Sequence, residues 1–146
     1  MRLTLMTDYA LRLLIYVGRH PDRLCTISEV AGAYDISESH LMKITHLLGQ
    51  AGFLETVRGK GGGILLAMPP ERINVGRVVR DTEGAAVPAE CFSADGGHCV
   101  ITASCRLKGA LGEAVRAFYA VLDGYSLEDI SRNRQTLGKV LMIHAA

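Results

Sequence analysis

Apolar residues recur along most of this chain at the three- and four-residue spacing that puts side chains on one face of a helix. Met6, Tyr9, Ala10, Leu13 and Val17 predict a first amphipathic helix that stops near Gly18 and Pro21. Thr26 followed three residues later by Glu29 reads as a capping box and opens a short second helix through about Ala33. Ser37 caps a third helix, whose inner face is Leu41, Ile44 and Leu48 and which ends near Gly49 and Gly52. The period then changes. Two short apolar runs, Phe53 to Val57 and Ile64 to Ala67, flank the stretch RGKGGG and predict a hairpin with a glycine-rich tip. Asn74 caps a helix through about Glu83. Further on, Leu107, Leu111, Ala114, Phe118 and Leu122 form one stripe on a long helix from Thr102 to about Leu122, closed by Gly124. Ser126 with Asp129 starts a last short helix, and no pattern is legible from Arg132 onward.

Helix, helix, turn, helix and glycine-tipped hairpin, in that order, make a mainly α fold: a winged helix-turn-helix with a small β-hairpin wing, followed by a long helix. Ala31 is small enough to let the second and third helices approach, and Ile36 after the turn can plug the core between them. The chain divides into a winged helix-turn-helix DNA-binding unit over 1–83, a loop over 84–104, and the long helix with its tail over 105–146. The third helix turns Ser39, Met42, Lys43 and His46 away from the core, with His40 on its flank. A helix in the major groove needs short polar groups near its N-terminus for base edges and a cation for the backbone. Ser37, Ser39, His40 and Lys43 meet that need. Arg58 and Lys60 sit at the hairpin tip with no acid between Val57 and Gly63, where glycines let backbone approach phosphate or the minor groove. A polar helix face or a glycine-rich tip taken singly means only solvation or turn geometry. The combination points to DNA.

Net charge is +1, so any nucleic-acid surface is local and does not come from bulk electrostatics. No apolar run is long enough for a membrane span. Asp8 and Arg12 interrupt the apolar pattern of the first segment, which reads as a native helix and not a signal peptide, so a cytoplasmic protein is expected. In that compartment cysteines bind metals or act in redox chemistry more often than they form structural disulfides. Cys91, Cys99 and Cys105 cluster in the loop EGAAVPAECFSADGGHCVITASC, whereas Cys25 stands alone before a helix and reads as a small buried apolar residue. A loop of that length in a small domain usually carries function. Zinc favours paired Cys-x-x-Cys knuckles with four ligands, and here His98 is the only nearby nitrogen. A disulfide would leave an odd thiol. Three spaced thiolates can instead hold three corners of an iron–sulfur cluster and leave one iron for a weaker ligand, an asymmetry that suits a sensor.

The stretches MRLTLMTDYALRLLIY, ISEVAGAYDISESHLMKI, VRGKGGGILLA, ITASCRLKGAL and FYAVLDGYSLEDI cover nearly everything before residue 132. In them the chain resembles the iron–sulfur winged-helix regulators and, within that group, the nitric-oxide-sensing repressors called NsrR. The resemblance implies a homodimer held by the long helix around Cys105 to Leu122, binding a palindromic promoter site. It implies a cluster ligated by Cys91, Cys99 and Cys105, with Asp8 of the partner subunit at the position of the fourth ligand. Arg12, one turn along, would pair with Asp8 or with cluster sulfides. The alternative for Asp8 is a first-turn carboxylate favoured by the helix dipole. The Cys91–Cys99 gap is longer than is usual in this type, through the region of Asp95, Gly96 and Gly97. The sister group called IscR places a histidine ligand where this chain has Lys108, which favours a 4Fe-4S cluster over a 2Fe-2S one unless His98 substitutes. Nitric oxide is the implied effector and no catalytic residue is needed. Other readings are a regulator of the same fold sensing iron–sulfur supply or redox state, a zinc-bound or metal-free thiol switch, and a small iron–sulfur electron-transfer protein. The last would leave the wing without a purpose.

Overall fold

Helix α1 (Leu5–Gly18) lies at the centre of the fold, packed against four of the other five helices. A computed structural model describes residues 3–84 and 87–132; the tail beyond Arg132 falls outside the described residues. The remaining elements are α2 (Ile27–Tyr34), α3 (Glu38–Gln50), β1 (Leu54–Val57), β2 (Gly63–Leu66), α4 (Val75–Glu83), α5 (Arg106–Asp123) and α6 (Leu127–Ser131). Short 3-10 turns occupy Pro70–Arg72, Glu90–Phe92 and Thr102–Ser104.

Local chemistry sets most of these boundaries. The Thr26 hydroxyl accepts from the Glu29 amide at 3.1 Å while the Glu29 carboxylate accepts from the Thr26 amide at 2.6 Å, which is the expected capping box. Asp35, in the left-handed region at φ 53°, ends α2. The chain then turns so that Ile36 is buried with its amide bonded to the Ala31 carbonyl at 3.1 Å. Ala10, Leu13, Leu14 and Val17 meet Val30, Leu41, Ile44, Leu48, Phe53, Ile64, Val78 and Leu127 in one core. Each large side chain buried there contributes about 1.5–3 kcal/mol. The inner face of α1 differs from the expected one at its start. Met6 is exposed, and Thr7 turns inward instead, its hydroxyl 3.2 Å from that of Thr4.

The hairpin pairs Leu54 with Leu66 and Val57 with Gly63 in antiparallel register. Cys25 joins it through two backbone hydrogen bonds with Ile64, at 2.9 and 2.8 Å. A Cβ at Gly63 would stand 2.6 Å from the Cys25 carbonyl oxygen, so this seam needs glycine. The Cys25 side chain is wholly buried, and burial pushes its thiol above the usual range. Cys25 is a core residue, as expected.

The long helix begins at Arg106 and not at Thr102. Thr102 donates its hydroxyl to the Cys99 carbonyl at 2.8 Å within a separate 3-10 turn, and Cys105 is extended (ψ 108°), which breaks the two apart. The far end of α5 is fastened to α4. Arg80 makes a bidentate pair with Asp123 at 2.6 and 2.7 Å, lies over the Tyr119 ring at 4.3 Å, and Asn74 donates to the Asp123 carbonyl at 2.8 Å. None of the 18 residues of α5 is buried, and Leu107 and Val121 are more than 60% exposed.

Candidate functional site

Two surfaces carry the expected functional residues. On the first, Ser37 caps α3 by accepting from the His40 amide, and its hydroxyl lies 3.3 Å from that of Ser39. Ser37, Ser39, His40 and Lys43 are all exposed at the N-terminal end of α3, while Leu41, Ile44 and Leu48 hold its other face in the core. The His40 ring stands 6.4 Å from that of Tyr9, and a hollow of about 160 Å³ between α1 and α3 is lined by Leu5, Met6, Tyr9, His40, Lys43 and Ile44. Arg58 and Lys60 are exposed at the wing tip, beyond the last pair of the hairpin. One polar helix end and one cationic tip thus project from a common core.

The second surface is the cysteine loop. Cys91, Cys99 and Cys105 are unpaired thiols, each partly buried. Cys91 lies in the 3-10 turn 90–92, and Phe92 beside it packs toward α5: a Cβ at Gly112 would stand 3.5 Å from the Phe92 ring, and the Lys108 ammonium lies 6.0 Å from that ring's centre. Cys105 occupies the N-cap position of α5 and makes no side-chain cap bond, so its sulfur is not spent on the helix. The long gap between Cys91 and Cys99 folds as a tight turn. The Gly96 amide donates to the Ser93 carbonyl at 2.9 Å and the Gly97 amide to the Asp95 carboxylate at 3.2 Å. Gly97 (φ 64°) returns so close to the Glu90 carbonyl that a Cβ would stand 2.5 Å from it. The extra residues therefore loop out, and the chain resumes toward Cys99 from beside Cys91. Among the described residues no three His, Cys, Asp or Glu side chains of one chain are grouped closely enough to hold a metal ion. In chemistry the donor set fits a soft centre: three unpaired sulfurs on one loop, none engaged in a disulfide.

Asp8 lies in the first turn of α1, on the helix that also packs against α3. Arg12 grips its carboxylate with two contacts, Nε at 3.1 Å and a terminal nitrogen at 2.7 Å. His98 is exposed.

The Rrf2 family of iron-dependent transcriptional regulators matches residues 3–133. The chain belongs to that family. It is 49% identical over 142 residues to the HTH-type transcriptional regulator NsrR of Bacillus subtilis (strain 168), covering 97% of each chain. It is 47% identical over 142 residues to NsrR of Geobacillus kaustophilus (strain HTA426), again covering 97% of each. The solved structure of T. potens IscR matches with a TM-score of 0.72 at 23% identity, over 91% of this chain and 88% of that one, a likeness of fold. This Rrf2 protein is accordingly a transcriptional regulator of the NsrR type, acting on DNA and not as an enzyme.

Two residues of this Rrf2 chain escaped the sequence reading. Phe92 anchors the cysteine loop on α5; as the only aromatic residue in that loop it was a visible signal. Glu83 binds the start of α1 from the last position of α4, and nothing local in the sequence marks that contact. No helix among the described residues is long and apolar enough to cross a membrane.

Proposed function

We propose that this Rrf2 protein is a homodimeric repressor that holds a four-iron iron–sulfur cluster and releases a palindromic operator when nitric oxide reaches it. One observation carries the reading: three unpaired thiols sit on a loop at the free end of a helix with no buried residue. The stripe of Leu107, Leu111, Ala114, Phe118 and Leu122 on α5 supports the dimer, because a helix face this apolar is stable only when covered. Unpaired thiols also suit a cytoplasmic setting, where reductants maintain them.

Cys91, Cys99 and Cys105 would hold three irons, and Asp8 of the partner subunit the fourth. A bound cluster supplies iron whose carboxylate ligand is harder and more exchangeable than thiolate, and so open to attack. Arg12 pairs with Asp8 and gives the released carboxylate a partner one turn away. An exposed i,i+4 pair is worth only about 0.3–0.5 kcal/mol, so Arg12 does not seriously oppose ligation. The α1 helix bears Asp8 on one side and packs against α3 on another, so loss of the tie moves the reading helix. A hundredfold loss of operator affinity requires about 2.7 kcal/mol of coupling, which one or two lost ligand bonds can supply.

Protein purified without oxygen is expected to sediment as a dimer and to show one broad visible absorption band, with operator binding lost on adding nitric oxide. A colourless protein, or several bands at longer wavelength, would overturn the four-iron reading; undiminished operator binding would overturn nitric-oxide sensing.

For the wing, three cations per subunit (Lys43, Arg58 and Lys60) neutralise about six phosphates in the dimer, a log–log salt slope of roughly −5. Arg58→Ala with Lys60→Ala removes four of these contacts and should flatten the slope to roughly −2 while leaving the cluster absorption intact. An unchanged affinity and slope would remove the hairpin from the interface.

A further inference from the structure

The root of the cysteine loop is tied to the first turn of α1 within one subunit. Glu83 is the last residue of α4, and its Oε1 accepts from the Thr4 backbone amide at 2.8 Å and from the Thr4 hydroxyl at 3.1 Å. Thr4 is in turn the N-cap of α1, its hydroxyl accepting from the Thr7 amide at 3.3 Å. The first amides of any helix lack intrahelical partners, and an anion placed there is favoured by the helix dipole. Partial burial works against the charged form of Glu83, yet hydrogen bonds from Thr7 and Thr4 hold it below the usual carboxylate range. A residue 79 positions away therefore completes the cap of α1.

Its place in the chain gives this contact its importance. Directly after Glu83, Gly84 takes φ 60° and ψ −132° and leads into the loop that carries the cysteines. On the other side, Thr4 opens the turn that bears Asp8, whose amide bonds to the Thr4 carbonyl at 3.0 Å. The same turn contributes Leu5 and Met6, with Tyr9 beyond them, to the hollow shared with His40 and Lys43 of α3.

We propose that Glu83 is a positioning residue that couples the cysteine loop to the DNA-reading helix inside each subunit, by holding the first turn of α1 against the end of α4. The inference rests on the cluster-sensing reading above. It differs from the Asp8 link in crossing no subunit boundary and requiring no ligand bond. Removing the carboxylate leaves the three thiols untouched, so the cluster forms, but movement at the loop root no longer reaches α1.

The test compares full-length Glu83→Ala, Glu83→Gln and wild type, each cluster-loaded under anaerobic conditions and each stripped of its cluster. In the stripped proteins, amide hydrogen exchange of the peptide containing Thr4 to Asp8 should be at least tenfold faster in Glu83→Ala. Glu83→Gln keeps a carbonyl oxygen as acceptor and should stay within threefold of wild type. In the loaded proteins the ratio of operator affinity with and without cluster should fall at least tenfold in Glu83→Ala, with its visible absorption unchanged, and survive in Glu83→Gln. A merely stabilising contact would lower the melting temperature and leave that ratio alone, and that result would overturn the proposal. So would wild-type exchange in Glu83→Ala. If Glu83→Ala does not fold, Thr4→Ala removes one of the two donors, and it should lower the ratio by a smaller factor; an unchanged ratio there also overturns the proposal. A wild-type protein with no cluster refutes the sensing function instead, while the exchange result still judges the Glu83 contact.

Discussion

Single replacement of Cys91, Cys99 or Cys105 by alanine is expected to leave the protein colourless and its operator affinity at the level of cluster-stripped wild type. The reason is ligand count. Three thiolates and one carboxylate are the whole proposed set of protein ligands, and loss of one cysteine would leave a second iron without a thiolate and the cluster held at only two corners by sulfur of the protein. The structure gives each cysteine a different hold on its position. Cys91 is placed by Phe92 against α5, Cys105 by the N-cap of the same helix, and Cys99 by the tight turn through Gly96 and Gly97 and by the 3-10 turn that follows it. Cys25→Ala is the control. Its side chain lies in the core beside the hairpin, so the change should cost on the order of 1 kcal/mol in stability and leave both colour and DNA binding intact. The measurement is iron and sulfide content with operator affinity for all four variants. An essential Cys25, or one dispensable loop cysteine, would show the ligand assignment to be wrong.

Asp8→Ala should retain three thiolates, stay coloured, and yet bind operator no better than cluster-stripped wild type. Its cluster should also decay faster in air. The competing account of Asp8 is purely local: a first-turn carboxylate favoured by the helix dipole and paired with Arg12. That account is worth about 0.3–1 kcal/mol for the dipole and a few tenths more for the exposed pair, enough to lower the melting temperature slightly and to spare sensing. The two predictions differ by orders of magnitude in operator affinity, so one titration separates them. Asp8→Cys offers a complement, since a thiolate can restore ligation while slowing the response to nitric oxide. Wild-type cluster lifetime together with a wild-type response in Asp8→Ala would exclude the cross-subunit carboxylate and leave His98, water or a small thiol for the fourth iron.

Much of this fold was legible because its signals are satisfied within a few residues. The capping boxes at Thr26/Glu29 and Ser126/Asp129, the Asn74 cap and the glycine-tipped hairpin all appear where the spacing placed them. The isolation of Cys25 also pointed correctly to burial. For the caps the partner is a neighbour along the chain. The type of chemistry available to the loop was equally readable, since three sulfurs in one segment define a donor set whatever the path between them.

Other features became visible only once distant segments met. Thr7 rather than Met6 faces inward because α4 closes over the start of α1 and supplies Glu83 there. The long helix starts late because Thr102 bonds backward to Cys99 and leaves Cys105 extended. Arg80 finds Asp123 across 43 residues and Glu83 finds Thr4 across 79, and no periodicity encodes either choice. Periodicity and caps report which face of a segment avoids water and how its ends are satisfied. Which charged group completes a cap, and where each thiol of the loop lies, depends on how the packed helices set their relative positions, an outcome of the whole core.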